Sequence, residues 1–336
     1  MTITFTVFKG SSSGEIKKSE TTIPSIKAKE VLLEHTHSGV CGTDSHHIKQ
    51  DMVLGHEGVG IAKEVGSGVK DIKIGDRLGF GYVRGGCDEC QYCKLGYTWH
   101  CTNTAQIFGQ TDLDQGSFAT HSVWPSTRLV KIPEAIASAD AGPFMCAGQT
   151  VFVPMLRNNF KAGERVGVIG IGGLGHLAIQ FAAALGCEVV VLSSSSNKKQ
   201  EAMDFGAKEF YNTNEMVAGD VKKIDHLMVT SSALPDWRVY AELMAPFGAI
   251  HPLTIAFEDL VFPYGMMILK ELTIVGSCSS SMEEVKQMVQ FVVKHHIKPV
   301  VEKFPMSVEG ITEAFQKLEN GKIRYRGVLE VEVGSL

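Results

Sequence analysis

A glycine-rich turn near the middle of the chain constrains the fold more than any other feature. The turn, Gly170-Ile171-Gly172-Gly173-Leu174-Gly175, follows the apolar run that begins at Arg165 and opens a helical stretch from His176 to Leu185. Glycines at this spacing allow a tight turn and let the backbone approach a pyrophosphate, whose charge is stabilised by amides at the helix N-terminus. The pattern predicts a dinucleotide-binding βαβ unit. The alternative is a turn that serves only helix–strand packing.

The sequence after this turn alternates between apolar β-branched runs and helical stretches. Such alternation is typical of βαβ units around a parallel sheet. With the run at Arg165, the further runs predict an α/β, doubly wound sheet of about six strands: Glu188 to Leu192, Glu209 to Tyr211, His226 to Val229, Ala249 to Leu253 and Leu272 to Val275.

The rest of the chain has a different pattern. From Ile3 to about Pro133, short β-like runs alternate with Gly, Asp and Ser turns, which predicts an irregular β domain. Two helices, Met282 to His296 and Val308 to Glu319, and a strand, Gly327 to Val333, are predicted near the C-terminus. A chain of 336 residues matches two domains. We expect a catalytic domain at 1–147, a dinucleotide-binding domain at 148–281, and a segment at 282–336 that returns to the first.

Composition narrows the class of protein. A net charge of −5 without a basic face makes nucleic acid an unexpected partner. The segment Met1 to Gly14 lacks an apolar signal region, and no stretch approaches the roughly 18 to 20 apolar residues needed to span a bilayer. We therefore expect a soluble cytoplasmic protein without a membrane partner. Because no secretion signal accompanies the eight cysteines, metal ligation is a better explanation for them than disulfides.

Four of the cysteines form one cluster. Cys87, Cys90, Cys93 and Cys101 follow the spacing C-x2-C-x2-C-x7-C in a Gly-rich loop. Tetrahedral zinc with four sulfur ligands is closed to substrate, so such a site would hold the loop in place. The spacing favours structural zinc over the alternatives, an iron–sulfur cluster or free buried thiols.

Three other residues could form an open metal site. Cys41 precedes Gly42-Thr43-Asp44, His56 lies between Gly55 and Glu57, and Cys146 precedes Ala147-Gly148. Two thiolates and one imidazole leave the fourth tetrahedral position for water or a substrate oxygen. Taken singly, each residue is more often a small core cysteine or a hydrogen-bonded histidine.

Together these motifs resemble those of zinc-containing medium-chain alcohol dehydrogenases, in the branch of cinnamyl alcohol dehydrogenases and NADP-dependent aldehyde reductases. The matching segments extend from Cys41 to Arg326. The resemblance implies a GroES-like irregular β catalytic domain, a Rossmann domain and a homodimer. The matching segments are Cys41-Gly42-Thr43-Asp44-Ser45-His46, Gly55-His56-Glu57-Gly58-Val59-Gly60, Gly75-Asp76-Arg77, the four-cysteine cluster, Cys146-Ala147-Gly148-Gln149-Thr150 and Arg324-Tyr325-Arg326.

The resemblance also implies roles in a catalytic zinc site, the second zinc of the chain. Cys41, His56 and Cys146 would hold this zinc, with Glu57 close enough to exchange onto the metal. Asp44 would orient the ring of His56, since a carboxylate bonded to a ligating imidazole fixes its tautomer. For both carboxylates the alternative is a solvated surface position.

The expected chemistry is reversible hydride transfer between a primary alcohol and a nicotinamide, with zinc as Lewis acid. Thr43 lies two residues after a zinc ligand and would pass the proton through its hydroxyl. His46 is the next expected carrier, because its unperturbed pKa suits shuttling near neutral pH. The alternative for His46 is an ordinary polar loop residue, and His47 is a lower-ranked candidate.

The end of the second predicted strand favours NADP over NAD. An NAD enzyme needs Asp or Glu there to accept hydrogen bonds from the adenosine ribose. This chain has Ser193-Ser194-Ser195-Ser196-Asn197-Lys198-Lys199 instead. Hydroxyls and a lysine can bind a 2′-phosphate, which a carboxylate would repel. We predict that Ser193, Ser194, Ser195 and Lys198 bind it; the alternative is a solvated turn.

The family resemblance places Arg326 near the cofactor pyrophosphate, although an arginine beside a strand is usually a surface charge. Gly42 departs from the His or Arg of many relatives, and the segment between His47 and Gly55 is shorter than usual. The expected substrate is a primary alcohol or aldehyde, aromatic or allylic, with Tyr82, Trp99 and Trp124 as candidate pocket residues.

Three competing functions remain. An NAD-dependent polyol or secondary-alcohol dehydrogenase would share both zinc sites but normally carry an acidic residue at position 193. A non-catalytic zinc- and nucleotide-binding relative would keep the fold without turnover. A zinc-finger interaction module would need only the four-cysteine loop.

Overall fold

The structure, a computed structural model, describes residues 2–331. None of the helices in this range combines the length and apolar composition needed to cross a membrane.

The strands are β1 (Thr2–Lys9), β2 (Lys17–Pro24), β3 (Glu30–Val40), β4 (Gly58–Val65), β5 (Arg77–Phe80), β6 (Val83–Gly85), β7 (Gln106–Ile107), β8 (His121–Pro125), β9 (Val130–Lys131), β10 (Arg165–Ile169), β11 (Glu188–Ser193), β12 (Glu209–Asn212), β13 (Ile224–Val229), β14 (Met244–Pro252), β15 (Thr273–Ile274), β16 (Val301–Pro305) and β17 (Arg326–Glu330). The α-helices are α1 (Gly42–His47), α2 (Gln91–Lys94), α3 (Ser138–Pro143), α4 (Gln149–Arg157), α5 (Gly175–Ala184), α6 (Lys199–Asp204), α7 (Trp237–Leu243), α8 (Tyr264–Leu269), α9 (Met282–His295) and α10 (Val308–Glu319).

The chain forms two compact units. One comprises residues up to Gln149 together with residues from Ser279 onward, and the other comprises Thr150–Cys278. The predicted boundaries, after 147 and after 281, differ from these by two and three residues.

The first unit contains a seven-stranded sheet in the order β16-β17-β3-β4-β5-β9, with β8 also paired to β3. Strand β17 pairs antiparallel with β3, so that Gly327 faces Val40 and Leu329 faces Ser38. The predicted strand began one residue later, and its last two residues, Glu332 and Val333, lie outside the described range. One core cluster of this unit combines residues from both ends of the chain, among them Phe8, Leu54, Phe118, Phe315 and Leu329.

The second unit contains a six-stranded parallel sheet in the order β12-β11-β10-β13-β14-β15. Strands β10 and β11 are mostly buried aliphatic residues, chiefly valine, because helices cover the faces of such a sheet. The strand order reverses between β10 and β13, which is where open α/β sheets bind ligands at the carboxyl ends of their strands. The predicted α/β class and doubly wound sheet are confirmed.

Candidate active site

The sulfur atoms of the four-cysteine cluster lie within 4.8 Å of one another. Helix α2 begins after Cys90, and the 3-10 helix Thr98–His100 ends before Cys101, so short turns bring the ligands together. Several N–H groups point at the sulfurs: Cys87 N donates to Cys101 Sγ (3.4 Å), Cys90 N to Cys87 Sγ (3.3 Å) and Thr104 N to Cys101 Sγ (3.3 Å).

These donors prepare the cluster for a metal, since the thiolate is the ligating form. Backbone hydrogen bonds lower the pKa of Cys101 to about 6 and that of Cys90 to about 7. Burial raises the pKa of Cys93 to about 12, so this sulfur needs the metal's charge to ionise. Four convergent sulfurs fit structural zinc.

A second group brings Cys41, His56, Glu57 and Cys146 together, again with one ligand atom of each within 4.8 Å of the others. Cys41 lies between β3 and α1, and His56 lies just before β4. Cys146 lies in a π-helical segment, Phe144–Gly148, and such single-turn π segments are frequent at functional sites. Residues separated by up to 105 positions thus converge at one point of the first unit.

Asp44 fixes the geometry of this group. Its carboxylate accepts hydrogen bonds from His56 Nδ1 (2.8 Å), from Cys41 N (3.0 Å) and from Gly55 N (3.1 Å). Because Nδ1 donates to Asp44, the Nε2 lone pair faces the sulfurs, and Nε2 has no hydrogen-bond partner among the described residues. The hydrogen bond from Cys146 holds the pKa of Cys41 well below its usual range. This donor set fits zinc.

Glu57 is fully buried beside these ligands. Its Oε1 accepts a hydrogen bond from Arg326 Nη2, whereas Oε2 has no partner among the described residues. Burial raises the pKa of Glu57 to about 7, although Arg326 opposes the shift. Gly39 makes room for the carboxylate, because a Cβ there would fall 1.8 Å from Oε2. Asp44, Glu57 and Arg326 are all buried, so the surface alternatives for them are wrong.

The proposed proton carriers lie in helix α1, which follows Cys41 directly. Thr43 is half-buried and His46 is exposed. The ring of His47 packs edge-on against Phe108 at 5.4 Å between ring centroids. The order along α1, from a half-buried hydroxyl to an exposed imidazole, is consistent with a path toward solvent.

Aromatic rings pack around His56. Its ring centroid lies 5.3 Å from that of Tyr82 and 5.0 Å from that of Phe108, and Trp99 lies 5.2 Å from Tyr82. Trp124, the third candidate from the sequence, is instead buried in the core and stacked on Phe80. The sequence offered no signal for Phe108, which lies in an irregular segment.

The glycine turn of the second unit has the expected backbone. Gly170 has a positive φ of +85°, and a Cβ at Gly175 would fall 2.0 Å from Gly170 O, so both glycines are required by the turn itself. A Cβ at Gly172 would meet nothing within 4 Å. That free space beside the backbone fits a bound pyrophosphate.

The serine tip lies beside this turn because β11 pairs with β10. Ser193 Oγ donates to Ser195 O (3.1 Å), and Lys198 Nζ donates to Ile171 O (2.8 Å) inside the glycine turn. A cation and several hydroxyls thus lie where an NAD enzyme needs a carboxylate, which fits a 2′-phosphate.

Comparisons with known proteins agree with this geometry. A family model described as alcohol dehydrogenase GroES-like domain matches residues 27–134, and one described as zinc-binding dehydrogenase matches residues 173–294. The aldehyde reductase AdhA of Synechocystis sp. is 36% identical over 327 residues, covering 94% of this chain and 96% of that protein.

Two solved structures share the whole architecture. A cinnamyl alcohol dehydrogenase of Sorghum bicolor has a TM-score of 0.89 at 28% identity and covers 98% of each chain. The CAD of Helicobacter pylori complexed with NADP(H) has a TM-score of 0.89 at 27% identity, covering 98% of this chain and 99% of that one. The predicted GroES-like and Rossmann folds are confirmed. The chain therefore belongs to the zinc-containing medium-chain alcohol dehydrogenases, oxidoreductases that act on alcohols and aldehydes.

Proposed function

We propose that this protein is a zinc-dependent, NADP(H)-preferring alcohol dehydrogenase that works mainly as a reductase of aldehydes, with aromatic or allylic substrates. The observation that carries the proposal is the convergence of Cys41, His56 and Cys146, with Asp44 orienting the imidazole. When bound, zinc polarises the carbonyl oxygen as a Lewis acid, and NADPH supplies the hydride.

The chain's own residues hold these groups and move the proton. Asp44 keeps the Nε2 lone pair of His56 directed at the metal position. Arg326 balances the charge of the buried Glu57 carboxylate, which has an oxygen within 4.8 Å of the zinc-ligand atoms and would be available as a further ligand. In aldehyde reduction, His46 would take a proton from solvent and Thr43 would pass it to the alcohol oxygen that forms; alcohol oxidation would use the same path in reverse.

Replacing one ligand tests the metal assignment. Cys146→Ala should abolish aldehyde reduction and leave the dissociation constant for NADPH within about twofold, because the cofactor turn is in the other unit. Cys278→Ala, at an exposed cysteine, is the matched control and should keep parental activity. Full turnover by Cys146→Ala would exclude the open zinc site and favour a metal-independent protein.

Metal content tests the second zinc. We expect two zinc ions per chain in the parent and one in a variant in which Cys93 and Cys101 are both replaced by serine. One ion in the parent would contradict either the structural or the catalytic assignment, and the Cys146→Ala variant would show which.

Cofactor choice is tested by kcat/KM with NADPH and NADH. The serine tip and Lys198, bonded to the glycine turn, support NADPH. Ser193→Asp should reverse the preference, since a carboxylate repels the 2′-phosphate and accepts ribose hydrogen bonds. A parental advantage with NADH would favour the NAD-dependent polyol dehydrogenase instead.

We also propose a homodimer formed through the second unit. Between β14 and β15, several large apolar side chains are exposed: Phe257 (89%), Val261 (79%), Tyr264 (76%) and Leu269 (84%). Several large apolar side chains exposed in one segment are typical of a protein interface. Light scattering should give a dimer for the parent and a monomer for Leu269→Asp; an unchanged dimer would place the interface elsewhere.

A further inference from the structure

Trp99 links the loop of the four-cysteine cluster to the group that contains His56, through ring contacts. It lies in the 3-10 helix Thr98–His100, inside the loop that joins Cys93 to Cys101. The backbone of this loop is therefore tied at both ends to the four-cysteine cluster. The cluster therefore restrains the position of the Trp99 backbone.

The neighbouring Thr98 is fixed from two sides. A Cβ at Gly86 would lie 2.6 Å from Thr98 Cγ2 and 2.8 Å from Cys93 Sγ, so the methyl group packs in the immediate surroundings of the cluster. The hydroxyl accepts a hydrogen bond from Arg128 Nη2. Thr98 is only 1% exposed, and these contacts restrain the side chain that follows it.

Trp99 connects this loop to the catalytic group through one intermediate ring. Trp99 packs on Tyr82 at 5.2 Å with an interplanar angle of 41°, and Tyr82 packs edge-on against His56 at 5.3 Å and 80°. Trp99 and Tyr82 are half-buried, whereas the other two tryptophans are core residues. Both residues of this pair therefore keep part of their surface accessible.

We propose that Trp99, positioned by the four-cysteine cluster and by Arg128, determines substrate specificity at the aldehyde site. Its ring and that of Tyr82 form a wall that binds planar substrates by edge-to-face or offset stacking. Such aromatic pairs contribute enough to change binding by roughly 3- to 10-fold. The inference rests on the proposed function and adds to it a role for a cluster that does no chemistry itself.

The first experiment compares benzaldehyde with butanal, using NADPH. Trp99→Leu removes the ring but keeps apolar bulk, so we expect KM for benzaldehyde to rise about 3- to 10-fold. The KM for butanal, which has no ring to stack, should rise less, so the ratio of benzaldehyde to butanal kcat/KM should fall. Equal changes for the two aldehydes, or none, would overturn the proposal.

A matched variant separates the wall from general damage to the loop. Tyr92 is an aromatic residue of the same loop whose ring lies against His100, 6.1 Å between centroids. Tyr92→Leu should leave the ratio of benzaldehyde to butanal kcat/KM unchanged. A shift as large as that of Trp99→Leu would show that loop disruption, and not the Trp99 ring, sets the ratio.

Positioning by the cluster is tested through Arg128→Gln, which removes the charged donor to Thr98 and leaves both rings of the wall in the sequence. We expect this variant to shift the ratio in the same direction as Trp99→Leu and to speed zinc release to a chelator from the four-cysteine cluster. Faster release with an unchanged ratio would show that the wall is independent of the cluster.

Binding of benzamide, an unreactive planar analogue of benzaldehyde, gives a readout without turnover. Calorimetry should show about 3- to 10-fold weaker binding to Trp99→Leu than to the parent. If the parent reduces no aldehyde, the proposed function fails, and benzamide binding still decides the role of Trp99. If the parent reduces aldehydes but Trp99→Leu binds benzamide equally well, only the present inference fails.

Discussion

His35 makes the stability of the first unit depend on pH. This residue lies in β3 and is 2% exposed. Nδ1 bonds the carbonyl of Ala119 (2.9 Å), so this nitrogen carries the proton, and Nε2 accepts from the hydroxyl of Ser122 (2.7 Å). Both ring nitrogens are satisfied in the neutral form. Burial lowers the pKa of His35 from 6.5 to about 4.

The sign of the effect follows from proton binding. Below pH 6.5 the unfolded chain binds a proton at His35, whereas the folded chain does not bind it until the pH falls to about 4. The neutral ring therefore contributes fully above pH 6.5, and its contribution is lost as the pH falls toward 4. Over that whole interval the loss is about 3 kcal/mol, of which about 2 kcal/mol is lost between pH 8 and pH 5.

The assay is urea unfolding followed by tryptophan fluorescence. Trp237→Phe should serve as the background, because Trp99 and Trp124 then report on the unit that contains His35. The variant His35→Gln removes the titration. We expect it to be less stable than the background at pH 8 and to lose less stability on acidification, so that the difference shrinks by about 2 kcal/mol at pH 5.

Comparing two variants removes the contribution of other titrating groups, including the metal ligands, which are the same in each. His296→Asn, at an exposed position with a positive φ of 55° that asparagine tolerates, is the control. Its stability difference from the background should not vary with pH. A pH-independent difference for His35→Gln as well would refute the argument from burial.

Three further predictions concern close contacts at the sites. Gly39→Ala should displace the Glu57 carboxylate and cost about 1 to 3 kcal/mol of unfolding free energy, measured by urea titration; unchanged stability would contradict the tight fit. Glu57→Gln should cost about 3 kcal/mol because it leaves the charge of Arg326 buried without its partner, and a melting temperature equal to the parent's would argue against that pair. Gly172→Ala should keep parental stability but weaken NADPH binding at least tenfold, since the added Cβ would occupy only the space assigned to the pyrophosphate. Equal affinity of parent and variant by calorimetry would show that the cofactor does not bind at this turn.

The strands and the glycine turn of the second unit could be predicted almost completely from the sequence, whereas helices α6, α7 and α8 had no predicted range. The signals there are local: an apolar strand, a glycine turn and a helix follow one another within about 20 residues. The predicted runs at Arg165, Glu188 and Glu209 each begin at the first residue of a strand in the structure. The least accurate prediction was the start of β14. This strand begins five residues before the predicted run, because Ala245, Pro246 and Gly248 have low β propensity.

The aromatic wall could be predicted only in part. Tyr82 and Trp99 were candidates because large aromatic residues are often found in pockets, and the same reasoning wrongly included Trp124. A ring in a core and a ring at a site have the same sequence signature. Only the fold decides between them, here by pairing β8 with β3 and thereby burying Trp124.

The two metal groups differ in how much of their surroundings a sequence can reveal. The four-cysteine loop supplies its own amide donors from residues such as Thr104, a few positions from the ligands, so the spacing predicts the ligands and their support together. In the other group, Asp44 is three residues from Cys41 and could be assigned, whereas Arg326 reaches Glu57 across 269 positions. That contact exists because β17 pairs with β3 and carries Arg326 into the first unit's interior. The charge balance of the open site is therefore a property of the tertiary fold, and a sequence motif could place Arg326 in the family pattern without identifying its partner.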